Sequence, residues 1–193
     1  ELKAHAPFTA LGTLTGMIVL WISLASQLSR YLCETLFWVL HPAHIFLSAL
    51  VTTAIYRRHA KGKILTILAI GYFGSVGIGT LSDCIIPYIG EIILNMPNRG
   101  LHLGFVEKWW LVNPLAFAGV AFACRWQETK FPHAGHVLLS TWASLFHMIM
   151  ALGTEFGFFT IVLMALFLFL AVWVPCCTSD IVFPLLFARR GEK

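Results

Sequence analysis

The sequence predicts an all-α integral membrane protein with six transmembrane helices arranged as two inverted three-helix repeats. Three observations carry that expectation. Of 193 residues, 59% are hydrophobic and only 11% are charged, with a mean hydropathy of +0.82, whereas soluble domains carry about a quarter charged residues. The apolar residues fall into runs of a length that spans hydrocarbon. Finally, the same polar residues recur in the same order in two halves of the chain. A chain of this composition has no surface to offer water, so soluble classes are excluded. Nucleic-acid binding is excluded with them, because the net charge of +4 includes no dense basic stripe.

With charged residues as fences, the first span is Ala6–Ser29. It has no small-residue cleavage signal and reads as a retained span rather than a leader. Thr35–Tyr56 and Ile64–Gly90 follow, separated by the basic turn around Arg57–Lys63. After the longest connection, 94–108, with Asn-Met-Pro-Asn-Arg-Gly as its turn, Trp109–Cys124 is a shorter span anchored by paired tryptophans. Phe131–Thr154 and Phe156–Ser179 complete the set. Only helices satisfy their own backbone in lipid at these lengths, and the period-2 alternation of a barrel is absent. The chain divides into a repeat over 1–93, an external connection over 94–108, and a repeat over 109–193.

Basic residues set the expected orientation, since short cytoplasmic loops collect Lys and Arg. Six spans place Lys3, Arg57, Arg58, Lys61, Lys63, Arg125, Lys130, Arg189, Arg190 and Lys193 on one side, and only Arg30, Arg99 and Lys108 on the other. Both termini are therefore expected in the cytoplasm, with the protein in the cell's inner or plasma membrane. The five cysteines show no paired spacing and are expected as thiols.

The repeat is read directly. His41-Pro-Ala-His44-Ile-Phe-Leu-Ser48 matches His133-Ala-Gly-His136-Val-Leu-Leu-Ser140 at an offset of 92, which also pairs Thr52 with Ser144. Ser82-Asp83-Cys-Ile-Ile-Pro87 matches Ser179-Asp180-Ile-Val-Phe-Pro184 at an offset of 97, and these are the two aspartates of the chain. Pro7 and Gly12 are echoed by Pro114 and Gly119. A unit of three spans is odd, so its second copy enters from the opposite face. Inverted repeats recur in secondary transporters, whose sites lie where the copies meet.

Residues three, four and seven apart share a helix face. His41, His44, Ser48 and Thr52 thus form one polar stripe; His133, His136, Ser140 and Ser144 form another, which His147 extends. Ionisable groups inside a membrane are costly and mark function. Asp83, near the end of the adjacent span, is the expected third ligand for His41 and His44; Asp180, with Cys176 and Cys177 nearby, is the third ligand for His133 and His136. Two imidazoles and a carboxylate suit Zn, Fe, Mn, Co or Ni as divalent ions, and a thiol shifts preference toward Zn²⁺ or Cu⁺.

Plainer readings compete. A Ser-Asp pair can cap a helix, and paired histidines can serve packing alone. Glu91, Glu107, Glu128 and Glu155 fall outside the spans and are expected to be solvated, with Glu107 and His102 able to collect cations at the external mouth. The leading functional expectation is a carrier for a divalent transition metal. The others are a membrane metalloenzyme using metal-activated water on a lipid or phosphate substrate, and a haem-binding redox subunit. Expected partners are the bilayer, a metal ion or small-molecule substrate, and further copies or subunits of a membrane complex.

Overall fold

The computed structural model describes residues 2–126, 130–153 and 157–188. The described residues are helical and include no strand. They form α1 (Leu2–Ala25), α2 (Arg30–His59), α3 (Ile64–Ile93), a short α4 (Gly104–Glu107), α5 (Trp109–Ala123), α6 (Lys130–Ala151), α7 (Phe158–Cys177) and α8 (Phe183–Ala188). α8 continues from α7 through a π-turn at Thr178–Val182. Four of the helices are long and apolar enough to cross a membrane: α2, α3, α6 and α7. Thr9–Ala25 of α1 and α5 are shorter apolar helices.

Several boundaries differ from those read by fencing with charges. α2 extends over Arg30 and on to His59, and the helix after Phe158 runs past Ser179 to Ala188. Charged residues do not end a helix when their long stems let the heads reach polar surroundings. The ends are set by capping instead. Ser29 accepts a hydrogen bond from Leu32 N–H and starts α2. Gln27 and Asn95 adopt left-handed φ values of 47° and 50°. Each closes its helix with paired bonds, Leu28 N–H to Ser23 O and Gln27 N–H to Leu24 O in one case, Met96 N–H to Glu91 O and Asn95 N–H to Ile92 O in the other. These are Schellman closures, which satisfy the last carbonyls. Arg57 donates to the carbonyls of Ala123 and Cys124, 3.2 and 2.6 Å away, and so closes the negative end of α5.

The helices are amphipathic in the sense opposite to a soluble bundle. Trp21, Leu65, Phe158 and Phe159 are each more than 70% exposed, while His41, His44, Ser48 and Thr52 are buried. Polar groups turned inward and apolar groups turned outward suit a lipid surround.

α2 and α6 cross at the centre. α5 packs on α2, and α1 packs on α6. Two glycines permit the close approach: Gly12 lies against Thr141, and Gly119 against Ala49 and the carbonyl of Phe46. Thr141 and Ala49 are themselves related by the 92-residue offset. A Cβ at 119 would meet backbone that has no rotamer with which to yield. Gly119→Ala is expected to destabilise the protein by about 1–3 kcal/mol, the usual cost of overpacking; a thermal unfolding scan in detergent that is unchanged from wild type would contradict this.

Both Ser-Asp motifs lie in π-turns, Leu81–Ile85 and Thr178–Val182. The sequence explains why. Proline four residues after each aspartate, Pro87 and Pro184, cannot donate to the aspartate carbonyl, and its ring crowds that oxygen. The helix widens by one residue in response, a distortion common at functional sites. In the first turn Ser82, Asp83 and Cys84 are all buried.

Candidate metal centre

The widened turn at 81–85 aims Asp83 at the α2–α6 crossing. Its Oδ2 accepts from His41 Nδ1 at 2.8 Å and from His44 Nδ1 at 2.7 Å. Oδ1 accepts from Ser82 Oγ and Ser140 Oγ, each at 2.7 Å. Asp83 is wholly buried, and four donors occupy its lone pairs. A helix-cap role does not describe it, because every one of these partners is a side chain.

With Nδ1 engaged by Asp83, His44 has Nε2 as its ligating nitrogen. The His44 ring stacks on that of His136, with centroids 5.5 Å apart and planes 20° from parallel. His44, His136 and Cys176 bring one ligand atom each to within 4.8 Å of one another, and so do His41, His44 and Asp83. All five residues are buried. These buried His, Asp and Cys groups can hold a metal ion. His44 belongs to both sets.

His41, His44 and Asp83 converge as the first expected half-site, while the second, at His133, His136 and Asp180, includes a side chain outside the described residues. His133 lies beside His136, ring centroids 5.2 Å apart, but His136 reaches across to His44, so the two stripes meet at one place. The side chains of Asp180 and Cys177 lie outside the described residues. His147 sits apart from both ligand groups. Its Nδ1 is 2.6 Å from Oε1 of Glu91, and both side chains are wholly buried. The expectation of a solvated Glu91 is therefore corrected. Glu91 also accepts from Gly100 N–H at 3.2 Å, and burial of the carboxylate is offset by these two donors.

The hydroxyls are exchanged between the halves. Ser48 meets Ser179 through their Oγ atoms at 3.2 Å, and Thr52 donates to Ser179 O at 3.2 Å. Their counterparts repeat this: Ser140 meets Ser82 at 3.2 Å, and Ser144 donates to Ser82 O at 3.1 Å. Each stripe thus braces the Ser-Asp turn of the other half. Sequence reasoning placed the stripes but not this crossing, for which the only signal was the shared order of hydroxyls.

His44 and His136 do not stand as an axial pair for haem. Axial imidazoles address the iron end-on from opposite faces of the macrocycle, whereas His44 and His136 are in face-to-face contact.

Compared with known proteins, the chain matches no family model, no curated protein and no solved structure.

Proposed function

We propose that the protein is a membrane carrier for a divalent transition-metal cation, with Zn²⁺ the best chemical fit, bound by His44, His136 and Cys176. The observation that carries this reading is the convergence of those three ligand atoms, from α2, α6 and α7, within 4.8 Å in the buried centre. Two imidazoles and a thiolate are a ligand set that Zn²⁺ accepts. Asp83 then acts from behind: its bond to His44 Nδ1 fixes the tautomer that presents a bare Nε2 and raises the basicity of that nitrogen. The charges balance, since a divalent cation is matched by one thiolate and one buried carboxylate, and an unbalanced charge is what a low-dielectric interior penalises.

Six membrane spans in two inverted three-helix repeats, with both termini in the cytoplasm of a cell-membrane protein, are the topology we infer. Support comes from the equivalent π-turns, the exchanged hydroxyl bonds, and the matching Gly12–Thr141 and Gly119–Ala49 contacts. The His44–His136 stack joins equivalent residues and so marks where a two-fold axis would pass; in inverted-repeat carriers the cargo sits at that interface. Cys176 breaks the symmetry, since its equivalent position is Gly79, which lies against His44. A water-activating metalloenzyme needs an open coordination position facing its substrate; ligands this buried suit an occluded cargo.

The test combines elemental analysis of the purified protein with metal uptake into liposomes. One Zn²⁺ per chain and saturable uptake are expected. The Co²⁺-loaded protein should show thiolate-to-cobalt charge-transfer absorption that Cys176→Ser abolishes. Stoichiometric Co²⁺ binding without that absorption would remove Cys176 from the ligand set, and liposomes that take up no metal would remove the carrier reading.

A further inference from the structure

We infer that His147 and Glu91 form a proton-binding site on the 94–108 side of the bundle, separate from the metal ligands and reached through His102. The inference rests on the carrier reading for its purpose, coupling cargo movement to protons, but not for its chemistry.

The geometry starts with an incomplete hydrogen-bond account. His147 donates through Nδ1 to Glu91, 2.6 Å away with both groups wholly buried, while its Nε2 is buried with no hydrogen-bond partner among the described residues. A buried polar nitrogen without a partner is expensive. A neutral imidazole beside a carboxylate also leaves the pair with one net negative charge in a low-dielectric interior. One proton on Nε2 meets the charge deficit: the pair becomes imidazolium and carboxylate, its charge goes from −1 to zero, Nδ1–H stays on Glu91, and no electron moves; the unpartnered Nε2 is the atom left free to take that proton. A metal ion fits less well, because His147 belongs to neither group of converging ligand atoms.

His102 stands between His147 and the exposed side of the bundle. The His102 ring lies 5.4 Å from that of His147 between centroids, its side chain is 26% exposed, and its Nδ1 is 3.3 Å from Glu107, itself 41% exposed. Toward the centre His147 is closed off by Phe37, which packs edge-on against it and flat on His41. The other elements packed on α6 add few titratable groups. α1 has none between Leu11 and Ala25, and those of α7 are Cys176 and Cys177 at its far end. On α3, Asp83 and Cys84 lie about two turns before Glu91; on α2, Cys33 shares the Phe37 cluster with Cys84.

The repeat supplies the independent argument. At the established offsets His147 corresponds to Ile55 and Glu91 to Ala188. The fold therefore accepts apolar residues at both positions, and the dyad is an addition to one face only. A proton site on one side only of a carrier built from two repeats gives it a direction.

The experiment uses the full chain in lipid nanodiscs with ¹⁵N-labelled histidine. Among the histidine resonances that convert from neutral to cationic as the pH is lowered, one should be missing from His147→Gln. In liposomes loaded with a pH dye, Zn²⁺ entry should be accompanied by a change of lumen pH. In His147→Gln and Glu91→Gln that change should fall by at least about tenfold, on the scale of losing a proton-transfer group. Equilibrium Zn²⁺ binding should be unchanged in both variants, which also reports that they fold; His147→Phe serves where Gln does not insert. Glu91→Gln retains an acceptor for Gly100 N–H, so a purely structural dyad would leave the lumen signal at the wild-type level, and that result overturns the proposal. A His147 resonance that stays neutral throughout overturns it as well. A resonance that charges in a protein moving no Zn²⁺ retains the proton site and removes the carrier reading.

Discussion

Replacing Asp83 by Asn is expected to leave a folded, inserted protein that binds Zn²⁺ far more weakly. The wild-type carboxylate accepts from His41 Nδ1 and His44 Nδ1 through one oxygen and from Ser82 and Ser140 through the other. An Asn amide oxygen can keep the two serines. Its NH₂ group then faces the two imidazoles and, with two protons, can donate to both, provided each ring moves its own proton from Nδ1 to Nε2. Every hydrogen bond is preserved, but His44 now presents N–H rather than a lone pair to the metal. Metal affinity should fall by about a hundredfold or more, at the upper end of what disturbing an outer-shell partner costs. Asp83→Ala leaves the two buried imidazole N–H donors without their acceptor, at about 1–3 kcal/mol each when unsatisfied, while Ser82 and Ser140 retain Gly79 O and Ser82 Oγ, so it should be clearly less stable than the Asn variant. Calorimetric Zn²⁺ titration of the Asn variant, beside its unfolding temperature, checks both halves of the argument. Wild-type affinity in Asp83→Asn would refute the tautomer role.

The inward faces of α2 and α6 were legible because helical periodicity puts residues three, four and seven apart on one side, and membranes leave polar residues nowhere else to go. The π-turns could have been anticipated from the proline four residues after each aspartate. The meeting of the two stripes could not. His44 and His136 touch because of the angle at which α2 crosses α6, and periodicity within one helix contains no information about a crossing. Symmetry reasoning, applied without that angle, grouped Asp83 with His41 and His44, whose ligand atoms do converge, but contained no sign that its other oxygen meets Ser82 and Ser140. Glu91 was misplaced for a related reason: a carboxylate used as a fence is assumed to be solvated, and its partner His147 lies 56 residues away in sequence. Cys176 was legible only as a neighbour of Asp180 along its own helix, yet its place is beside His44 and His136.

The second large effect is expected at His44, the residue common to both groups of converging ligand atoms. On the carrier proposal, either the His44–His136–Cys176 set holds the ion throughout, or the ion passes between that set and His41 with Asp83; His44 is needed in both cases. His44→Ala should therefore reduce Zn²⁺ affinity by at least about a hundredfold and abolish uptake into liposomes. His41→Ala separates the two possibilities. If Asp83 and His41 only orient His44, losing His41 leaves one carboxylate lone pair unfilled and should weaken binding by about tenfold, with uptake following binding in proportion. If the ion visits His41, equilibrium binding should change little while uptake stops. His133→Ala supplies a third comparison, because His133 touches His136 but belongs to neither ligand group, and its loss should spare equilibrium binding. Equal affinity in His44→Ala and wild type would show that the cargo is not bound where α2 and α6 cross, and the carrier would then need a different centre.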